Sequence, residues 1–361
     1  MNAATTRTEI GLVLQGGGAL GAYEFGAVTA LLELIEQATA AGRSVGLKAV
    51  TGVSIGAVNA ACIVGALDLA DSRRRLSDLW EDLMIKAPSF WPTEFKRDLS
   101  FYGLPHFYAL RPDLFAIASW TYIYDTEPLL GTLSCHIDFE RLNANETGLA
   151  ITAVDVEKGV LKRFANRSLG AEQATRIGPR HVLASASLPP QFPWVEIEEN
   201  GEPHRYWDGG IVDNTPLGDA IGAFSGGPDV TRLLVIMNLF PLEAQPPHSL
   251  LEVAERVDQL RFGNRLLQDK ANAERINDLV STVEALVKLV PSPLPSQVQE
   301  GVDRASALKL VTPIEIPLTP RKSLTGDYGF RDFSREGVET RRTRGYTIAR
   351  ERLLPYFQKF G

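Results

Sequence analysis

The predicted fold rests mainly on the segment Gly52-Val53-Ser54-Ile55-Gly56. A short strand-like run, 48–51, precedes it, and the small residues 57–61 follow it. A G-x-S-x-G pattern between a strand and a helix is typical of a sharp turn that holds a serine hydroxyl at its tip. Glycine on either side leaves room for strand and helix because it has no Cβ. We therefore predict that Ser54 is a nucleophile and that Gly52 and Gly56 form its elbow.

Two further glycine-rich motifs accompany this elbow. The motif Gly16-Gly17-Gly18-Ala19-Leu20-Gly21 follows the apolar run 10–15, and Asp208-Gly209-Gly210 lies far downstream. Between a strand and a helix, the backbone N–H groups of Gly16, Gly17 and Gly18 converge near a helix N-terminus, where the helix dipole favours negative charge. The three motifs together predict an oxyanion loop, a serine nucleophile and a carboxylate base, Asp208.

In this order, the motifs resemble those of the patatin-like phospholipase family, G-G-G-x-[R/K]-G, G-x-S-x-G and D-G-[G/A]. The stretches 188–193 and 213–216 are also similar to that family, and the resemblance is firm over about residues 8–240. It implies a three-layer α/β/α fold with a mostly parallel sheet. It also implies a lipid acyl hydrolase in which Asp208 pairs directly with Ser54 as general base and acid, while Gly17 and Gly18 form the oxyanion hole.

One position departs from the family pattern. The fifth residue of the glycine motif is usually basic, and here it is Leu20. The substitution removes a cation from the mouth of the expected site. We therefore expect little preference for anionic over neutral head groups.

Apart from the resemblance, the residues alone do not identify the general base. The five histidines are His106, His136, His181, His204 and His248, and none lies in a recognisable triad context. Asp213 competes with Asp208 by proximity but lacks the following glycine pair. We predict Asp208 as the base, without a metal or a cofactor, because no metal-ligand cluster is visible in the sequence.

Two other classes of protein compete with the hydrolase. The motif from Gly16 to Gly21 also fits G-x-G-x-x-G after a strand, which is typical of dinucleotide-binding oxidoreductases. Such a site needs an acidic residue at the end of the second strand, where this chain has Gly52 followed by Ser54. A catalytically silent interaction protein of the same fold is the other alternative.

Composition bounds the remaining functions. The chain has 361 residues, 44% hydrophobic and 22% charged, with a net charge of −7. This charge argues against nucleic-acid binding and gives no overall attraction to anionic lipid. Two cysteines are too few for a disulfide framework. We expect a lipid or other acyl ester as substrate, with the oligomeric state left open.

The sequence predicts a cytoplasmic protein. Residues 1–9 lack the apolar core of a secretory signal, and we identify no run of about 20 apolar residues that would span a membrane. Transient contact with a membrane surface remains open.

Apolar runs and helical periodicity alternate along the chain. Buried strands are predicted at 10–15, 48–51, 149–154 and 233–237, with a helix at 22–38. This alternation favours an α/β sheet covered on both faces. We predict a single hydrolase domain over 8–361. Its parts are a core (8–240), an aromatic-rich cap (80–124), added helices (246–300), and a returning strand with a terminal helix (306–358).

The cap and the terminal helix carry specific expectations. Residues 80–124 hold 12 of the 30 aromatic residues, which favours an irregular cap whose rings either fill the core or line an acyl pocket. The terminal helix, 334–354, has a basic face that we expect to be solvated. Its members are Arg335, Arg341, Arg342, Arg344 and Arg350.

Overall fold

The computed structural model describes residues 7–88, 90–169, 173–227, 229–248, 250–290, 294–318 and 329–358. Within these residues the strands are, in chain order, β1 (Arg7–Leu14), β2 (Val45–Gly52), β3 (Gly103–Leu104), β4 (Tyr108–Leu110), β5 (Tyr124–Asp125), β6 (Gly148–Asp155), β7 (Val160–Ala165), β8 (Val195–Glu199), β9 (Glu202–Asp208), β10 (Val230–Asn238) and β11 (Thr312–Pro317).

The main sheet is mostly parallel. In the described part of the chain it has eight strands in the order β11-β10-β1-β2-β6-β9-β8, with β7 paired to β6. The pairs from β11 through β6 are parallel, whereas β7, β8 and β9 run antiparallel to their neighbours. Parallel pairs need crossover helices, and these cover both faces of the sheet.

The helices of the described ranges are α1 (Gly21–Ala40), α2 (Ile55–Val64), α3 (Leu69–Leu83), α4 (Thr93–Asp98), α5 (Glu127–His136), α6 (Phe139–Ala144), α7 (Pro179–Ser185), α8 (Leu217–Ala223), α9 (Leu250–Val287), α10 (Ser296–Ala307) and α11 (Arg335–Gln358). Short 3-10 turns lie at Gly18–Leu20, Leu99–Tyr102, Leu114–Ser119, Gly209–Ile211 and Gly329–Arg331.

Alternate residues of the central strand β1 face opposite layers. Leu12 and Leu14 belong to the large core that includes α1, α2 and α11, whereas Val13 joins a second core with Leu217 of α8 and Leu266 of α9. Successive side chains of a strand point to opposite faces, so this division follows from strand geometry. The result is a three-layer α/β/α fold, as the sequence predicted.

One described helical segment, Gly18–Ala40, is long and apolar enough by composition to span a membrane. A helix was predicted at 22–38, but not as an apolar run of membrane-spanning length, because Glu24, Glu33 and Glu36 interrupt it. Within the protein 83% of its most apolar window is buried, as expected of a core helix.

The C-terminal segments require one correction to the sequence-based expectations. Strand β11 returns to the sheet beside β10, and α11 packs against α1. The prediction that the basic residues of this helix are solvated is wrong for Arg341, which is only 2% exposed. Its guanidinium lies 3.5 Å from the buried Asp332 carboxylate and donates to the Asp332 carbonyl at 2.7 Å.

Candidate active site

Ser54 lies in a strained turn between β2 and α2. Its backbone has φ 56° and ψ −128°, a conformation that a residue with a side chain rarely adopts. A Cβ on Gly52 would lie 2.4 Å from the Gly56 carbonyl oxygen, and one on Gly56 would lie 2.6 Å from the carbonyl oxygen of Gln15. These approaches are closer than real Cβ contacts allow, so the elbow requires glycine at both positions.

A buried serine supports the strained backbone. The Ser54 N–H donates to Oγ of Ser185 at 3.0 Å, and this hydroxyl donates to the Thr152 carbonyl at 2.7 Å. Backbone strain of this kind costs about 1–3 kcal/mol and persists only where the surroundings enforce it. Ser185 links α7 to β6 and provides such support. Sequence reasoning missed it because no motif marks this position.

Asp208 stands at the end of β9 with its carboxyl group against Ser54. It is 2% exposed, accepts the Gly210 N–H at 2.7 Å, and interacts with the Ser54 side chain. Burial raises the pKa of Asp208 to about 7, although the hydrogen bonds from Ser54 and Gly210 oppose this rise. The carboxyl group can therefore both accept and release a proton near neutral pH.

The competing candidate for the base, Asp213, makes its hydrogen bond away from Ser54. Its carboxylate accepts the Thr215 N–H at 3.0 Å, and Asp213 is not among the described residues that line the cavity at Ser54. The arrangement fits a structural turn rather than proton transfer.

None of the five histidines is among the described residues lining this cavity. His136 contacts Asp82 at 2.9 Å, and the Nδ1 atom of His181 accepts the Gly178 N–H at 3.0 Å. Burial lowers the pKa of His181, whereas the Gly178 hydrogen bond opposes this. His204 lies on β9, in the hairpin with β8. The structure thus brings Ser54 together with Asp208 and not with a histidine.

The glycine loop borders the same cavity. The Gly16 N–H donates to Oδ1 of Asn214 at 3.0 Å, and Nδ2 of Asn214 donates back to the Gly16 carbonyl at 3.1 Å. Gly18 has φ 53°, and a Cβ there would lie 2.4 Å from the carbonyl oxygen of Phe330. Since the Gly16 N–H is already bonded, Gly17 and Gly18 are the better placed donors of the three predicted residues.

Asn214 was not predicted as a functional residue. It belongs to the stretch 213–216 that resembles the family, so a signal existed without an assigned role. Its side chain fixes the start of the glycine loop from the segment after Asp208 and thereby couples the predicted oxyanion loop to the predicted base.

A second buried carboxyl group lies behind the loop. Glu24 accepts hydrogen bonds from the Gln15 N–H at 2.7 Å and from Nδ2 of Asn59 at 3.1 Å. Asn59 in turn accepts the Trp80 indole N–H at 3.0 Å. Burial raises the pKa of Glu24 well above its ordinary value, against the hydrogen bonds from Asn59 and Gln15. This network ties α1, α2 and α3 to the base of the glycine loop.

The cavity has a volume of about 530 Å³, within the range of small-molecule sites. Gly16, Gly17, Gly18, Ser54 and Asp208 open into it. Of the aromatic residues in 80–124, those that line it are Phe101, Phe107, Tyr108 and Tyr124. Other residues of that segment fill the core, such as the fully buried Trp80. Some rings of the segment therefore fill the core and others line the cavity, and an acyl-binding role stays a prediction.

Charged residues from distant segments also line the cavity. Leu20 is buried, as the sequence implies for an apolar residue at this position. Two cations nevertheless lie at the cavity, because Arg261 of α9 and Arg331 before α11 line it together with Asp258. The expected lack of preference for anionic head groups stays a prediction. No local sequence pattern marks these two arginines, since they meet the site only through the tertiary fold.

The comparisons with known proteins agree with this architecture. A family model described as Patatin-like phospholipase matches residues 12–221, which include the glycine loop, the elbow and Asp208. The chain belongs to the patatin-like phospholipase family. This membership supports a lipid-hydrolysing enzyme and disfavours the dinucleotide-binding alternative.

Solved structures similar to this chain are distant in sequence. VipD from Legionella pneumophila is 14% identical, with 99% of this chain and 68% of VipD covered and a TM-score of 0.39. The chain is also similar to the ExoU-SpcU complex from the type III secretion system of Pseudomonas aeruginosa, with 15% sequence identity and a TM-score of 0.34. This match covers 98% of the present chain and 52% of the matched chain. The chain thus spans about half the length of the latter. None of the curated proteins compared with this chain gives a significant match.

Proposed function

We propose that this protein is a serine acyl hydrolase that cleaves carboxylic esters of lipids through an acyl-enzyme on a Ser54–Asp208 dyad. The observation that carries this proposal is that the Ser54 side chain and the buried Asp208 carboxyl group interact at the wall of one cavity, where no histidine is among the described lining residues. Family membership supports the broader class.

Asp208 acts as general base and then as general acid. The Ser54 hydroxyl oxygen attacks the ester carbonyl carbon while Asp208 accepts the hydroxyl proton. When the tetrahedral intermediate collapses, the C–O bond to the alcohol breaks and Asp208 returns the proton to the leaving alcohol. Asp208 then takes a proton from water, whose oxygen attacks the acyl carbonyl carbon. When the C–O bond to Ser54 breaks, Asp208 returns the proton to the Ser54 oxygen and the carboxylic acid leaves. A pKa of about 7 suits both directions of transfer.

Gly17 and Gly18 stabilise the intermediate in this proposal. Their backbone N–H groups form the oxyanion hole beside the start of α1, where the helix dipole favours negative charge. Asn214 holds the loop in place through its paired hydrogen bonds to Gly16. Removing one oxyanion donor typically reduces the rate by about 100- to 1000-fold.

The aromatic wall binds the acyl chain, and exposed apolar residues near the mouth contact the lipid surface. Phe101 and Ile211 line the cavity yet are 50% and 44% exposed. Insertion of such residues into an interface is favourable in proportion to the apolar area removed from water. We propose a cytoplasmic location with transient membrane contact.

Assays with a panel of p-nitrophenyl esters distinguish an active hydrolase from a catalytically silent protein of the same fold. We expect turnover by the wild-type protein and its loss in Ser54→Ala, since that change removes the nucleophile. Ser134→Ala serves as the matched control because Ser134 is exposed and its hydroxyl only donates to the Leu130 carbonyl within α5. Lack of turnover of every ester by folded wild-type protein would favour the silent alternative.

A further inference from the structure

A short C-terminal segment, residues 329–334, packs against the predicted oxyanion loop. This segment, called the strap below, lies outside the range 12–221 that the family model matches. A Cβ on Gly18 would lie 2.4 Å from the carbonyl oxygen of Phe330. The main chain of the strap therefore borders the loop that carries the proposed oxyanion donors. Its side chains that line the cavity are Phe330, Arg331 and Phe333.

One buried carboxylate, that of Asp332, joins the strap to its neighbours. The side chain is 1% exposed, and its Oδ1 atom accepts the Ser334 N–H at 3.0 Å and the Ser334 hydroxyl at 2.5 Å. Its Oδ2 atom lies 3.4 Å from Nε of Arg97 in α4 and 3.5 Å from Nη2 of Arg341 in α11. Arg341 also donates to the carbonyl oxygens of Asp332 and Gly329 at 2.7 and 3.3 Å. Asp332 thus connects the strap with both the cap and the terminal helix.

The strap is held from two further sides. The carbonyl oxygen of Phe333 accepts the Ile85 N–H at 2.9 Å. On the side of α9, burial raises the pKa of Asp258, and the positive charges of Arg261 and Arg331 oppose this rise. Asp258 therefore attracts the strap through Arg331. Contacts on these sides fix the position of the strap against the glycine loop.

Attachment of α11 to the core does not depend on the charges around Asp332. A Cβ on Gly26 of α1 would lie 1.8 Å from the Arg342 carbonyl oxygen. One on Gly345 of α11 would lie 2.0 Å from the Tyr23 carbonyl oxygen. This close backbone packing holds α11 against α1 further along the helix. The buried charges around Asp332 therefore act mainly on the strap and the loop that it borders.

We propose that Asp332 is a positioning residue that, through the strap, holds Gly18 with its N–H directed at the oxyanion. This inference rests on the proposed function and adds to it a residue outside the range of the family model. Asp332 is not among the described residues that line the cavity, so it acts without touching the substrate. Oxyanion donors stabilise the transition state because they are fixed in place before the reaction, and a displacement of about 1 Å typically lowers the rate about 100-fold.

Two variants loosen the strap to different degrees. Asp332→Asn keeps the shape of the side chain and an acceptor for Ser334, but removes the charge that faces Arg97 and Arg341. Ser334→Ala removes one hydrogen bond to Asp332 and the cap of α11, but leaves the ion pairs in place. The matched control is Glu9→Gln, because Glu9 is also a buried, ion-paired carboxylate but lies near the start of β1, outside the cavity lining.

The measurements separate oxyanion stabilisation from folding and from ground-state binding. Hydrolysis of p-nitrophenyl hexanoate gives kcat and KM, and denaturant titration gives the stability of each variant. The transition-state analogue is 1,1,1-trifluoro-2-octanone. The Ser54 oxygen bonds to its carbonyl carbon, the C=O electron pair moves to the oxygen as an oxyanion, and Asp208 takes the hydroxyl proton. The unfluorinated 2-octanone is the ground-state control.

We expect Asp332→Asn to lower kcat about 100-fold and Ser334→Ala about tenfold, with KM changed less than about twofold, because only transition-state stabilisation is lost. The Ki of the fluorinated ketone should rise by the factor by which kcat/KM falls, whereas the Ki of 2-octanone should not change. The midpoint of the pH profile should stay near 7, since Asp208 is unaltered. Glu9→Gln should lose stability but keep kcat within about twofold.

A wild-type kcat in folded Asp332→Asn would overturn the inference. A loss of kcat without a matching rise in the Ki of the fluorinated ketone would also overturn it, because the defect would then lie outside the oxyanion hole. An equal loss of kcat in Glu9→Gln would assign the effect to general destabilisation. If Asp332→Asn does not fold, Ser334→Ala decides by the same criteria. Absence of both ester turnover and ketone inhibition in the wild type would instead refute the proposed hydrolase itself.

Discussion

The inner and outer walls of the cavity are built in different ways. The inner wall consists of the glycine loop, the Ser54 elbow and Asp208. At Gly16, Gly52 and Gly56 the surrounding atoms approach so closely that a Cβ would not fit. The outer wall is assembled from side chains of the cap, the segment 188–192, α9 and the turn before α11, and several of these side chains are exposed. In the proposed enzyme, the reacting groups are thus positioned by close backbone packing, whereas the residues expected to contact the substrate meet only through the tertiary fold.

Removal of the Asp208 carboxylate should produce the largest effect on the inner wall. Asp208→Asn leaves the side-chain shape but provides no base, so we expect a loss in kcat of about 1000-fold or more. Asp213→Asn is the matched control because Asp213 is buried nearby and bonded to Thr215. All variants are compared by their initial rates on p-nitrophenyl esters. A comparable loss of activity in His204→Gln or His181→Gln would contradict the dyad and support a catalytic triad.

Gly18 tests the contact between the two walls. Gly18→Ala would put a methyl group 2.4 Å from the Phe330 carbonyl in a backbone conformation with φ 53°. We expect kcat to fall about 100-fold, because the loop must shift its oxyanion donors. Gly42→Ala is the control that separates backbone strain from steric contact. Gly42 also has a positive φ, 80°, but nothing lies within 4 Å of a Cβ added there. Equal kcat values for the two variants would argue against a catalytic loop at Gly18.

The outer wall should set the preference for acyl chain length. Each methylene buried against aromatic residues contributes about 0.8 kcal/mol, so kcat/KM should rise about fourfold per methylene from acetyl toward octanoyl esters. Phe192→Ala should flatten this rise, because Phe192 lines the cavity and stacks with Phe107 and Tyr108. Phe115→Ala is the control at a fully exposed ring. A wild-type kcat/KM that does not change with acyl chain length would show that this wall does not bind the acyl chain.

The buried charge on Asp208 should also cost stability. Its folded-state pKa of about 7 lies above the ordinary value of 3.8, so the folded protein binds a proton that the unfolded chain releases. Stability contributed by this site is therefore full below about pH 4 and is lost as pH rises to 7. Asp208→Asn should raise the free energy of unfolding at pH 8 by a few kcal/mol and by less at pH 5. Denaturant titrations of both proteins at the two pH values measure this, and an equal difference at both would contradict the assigned shift.

The sequence predicted the inner wall better than the outer one for a physical reason. Gly52, Gly56 and the loop at Gly16–Gly18 are dictated by local backbone geometry, which short motifs record. The burial of Arg341 could not be predicted, since it depends on Asp332 meeting α11 inside the fold. Arg331 was equally hidden, because its place in the cavity follows from the packing of the Phe330 turn on Gly18.

The central claim, that Asp208 activates Ser54 directly, is tested most directly by the rate of fluorophosphonate labelling as a function of pH. The account predicts a single adduct that peptide mass spectrometry places on Ser54. The labelling rate should fall as pH drops through about 7, where Asp208 becomes protonated, and Asp208→Asn should label far more slowly at every pH. An adduct on another residue, or labelling of Ser54 in Asp208→Asn at the wild-type rate, would contradict the account.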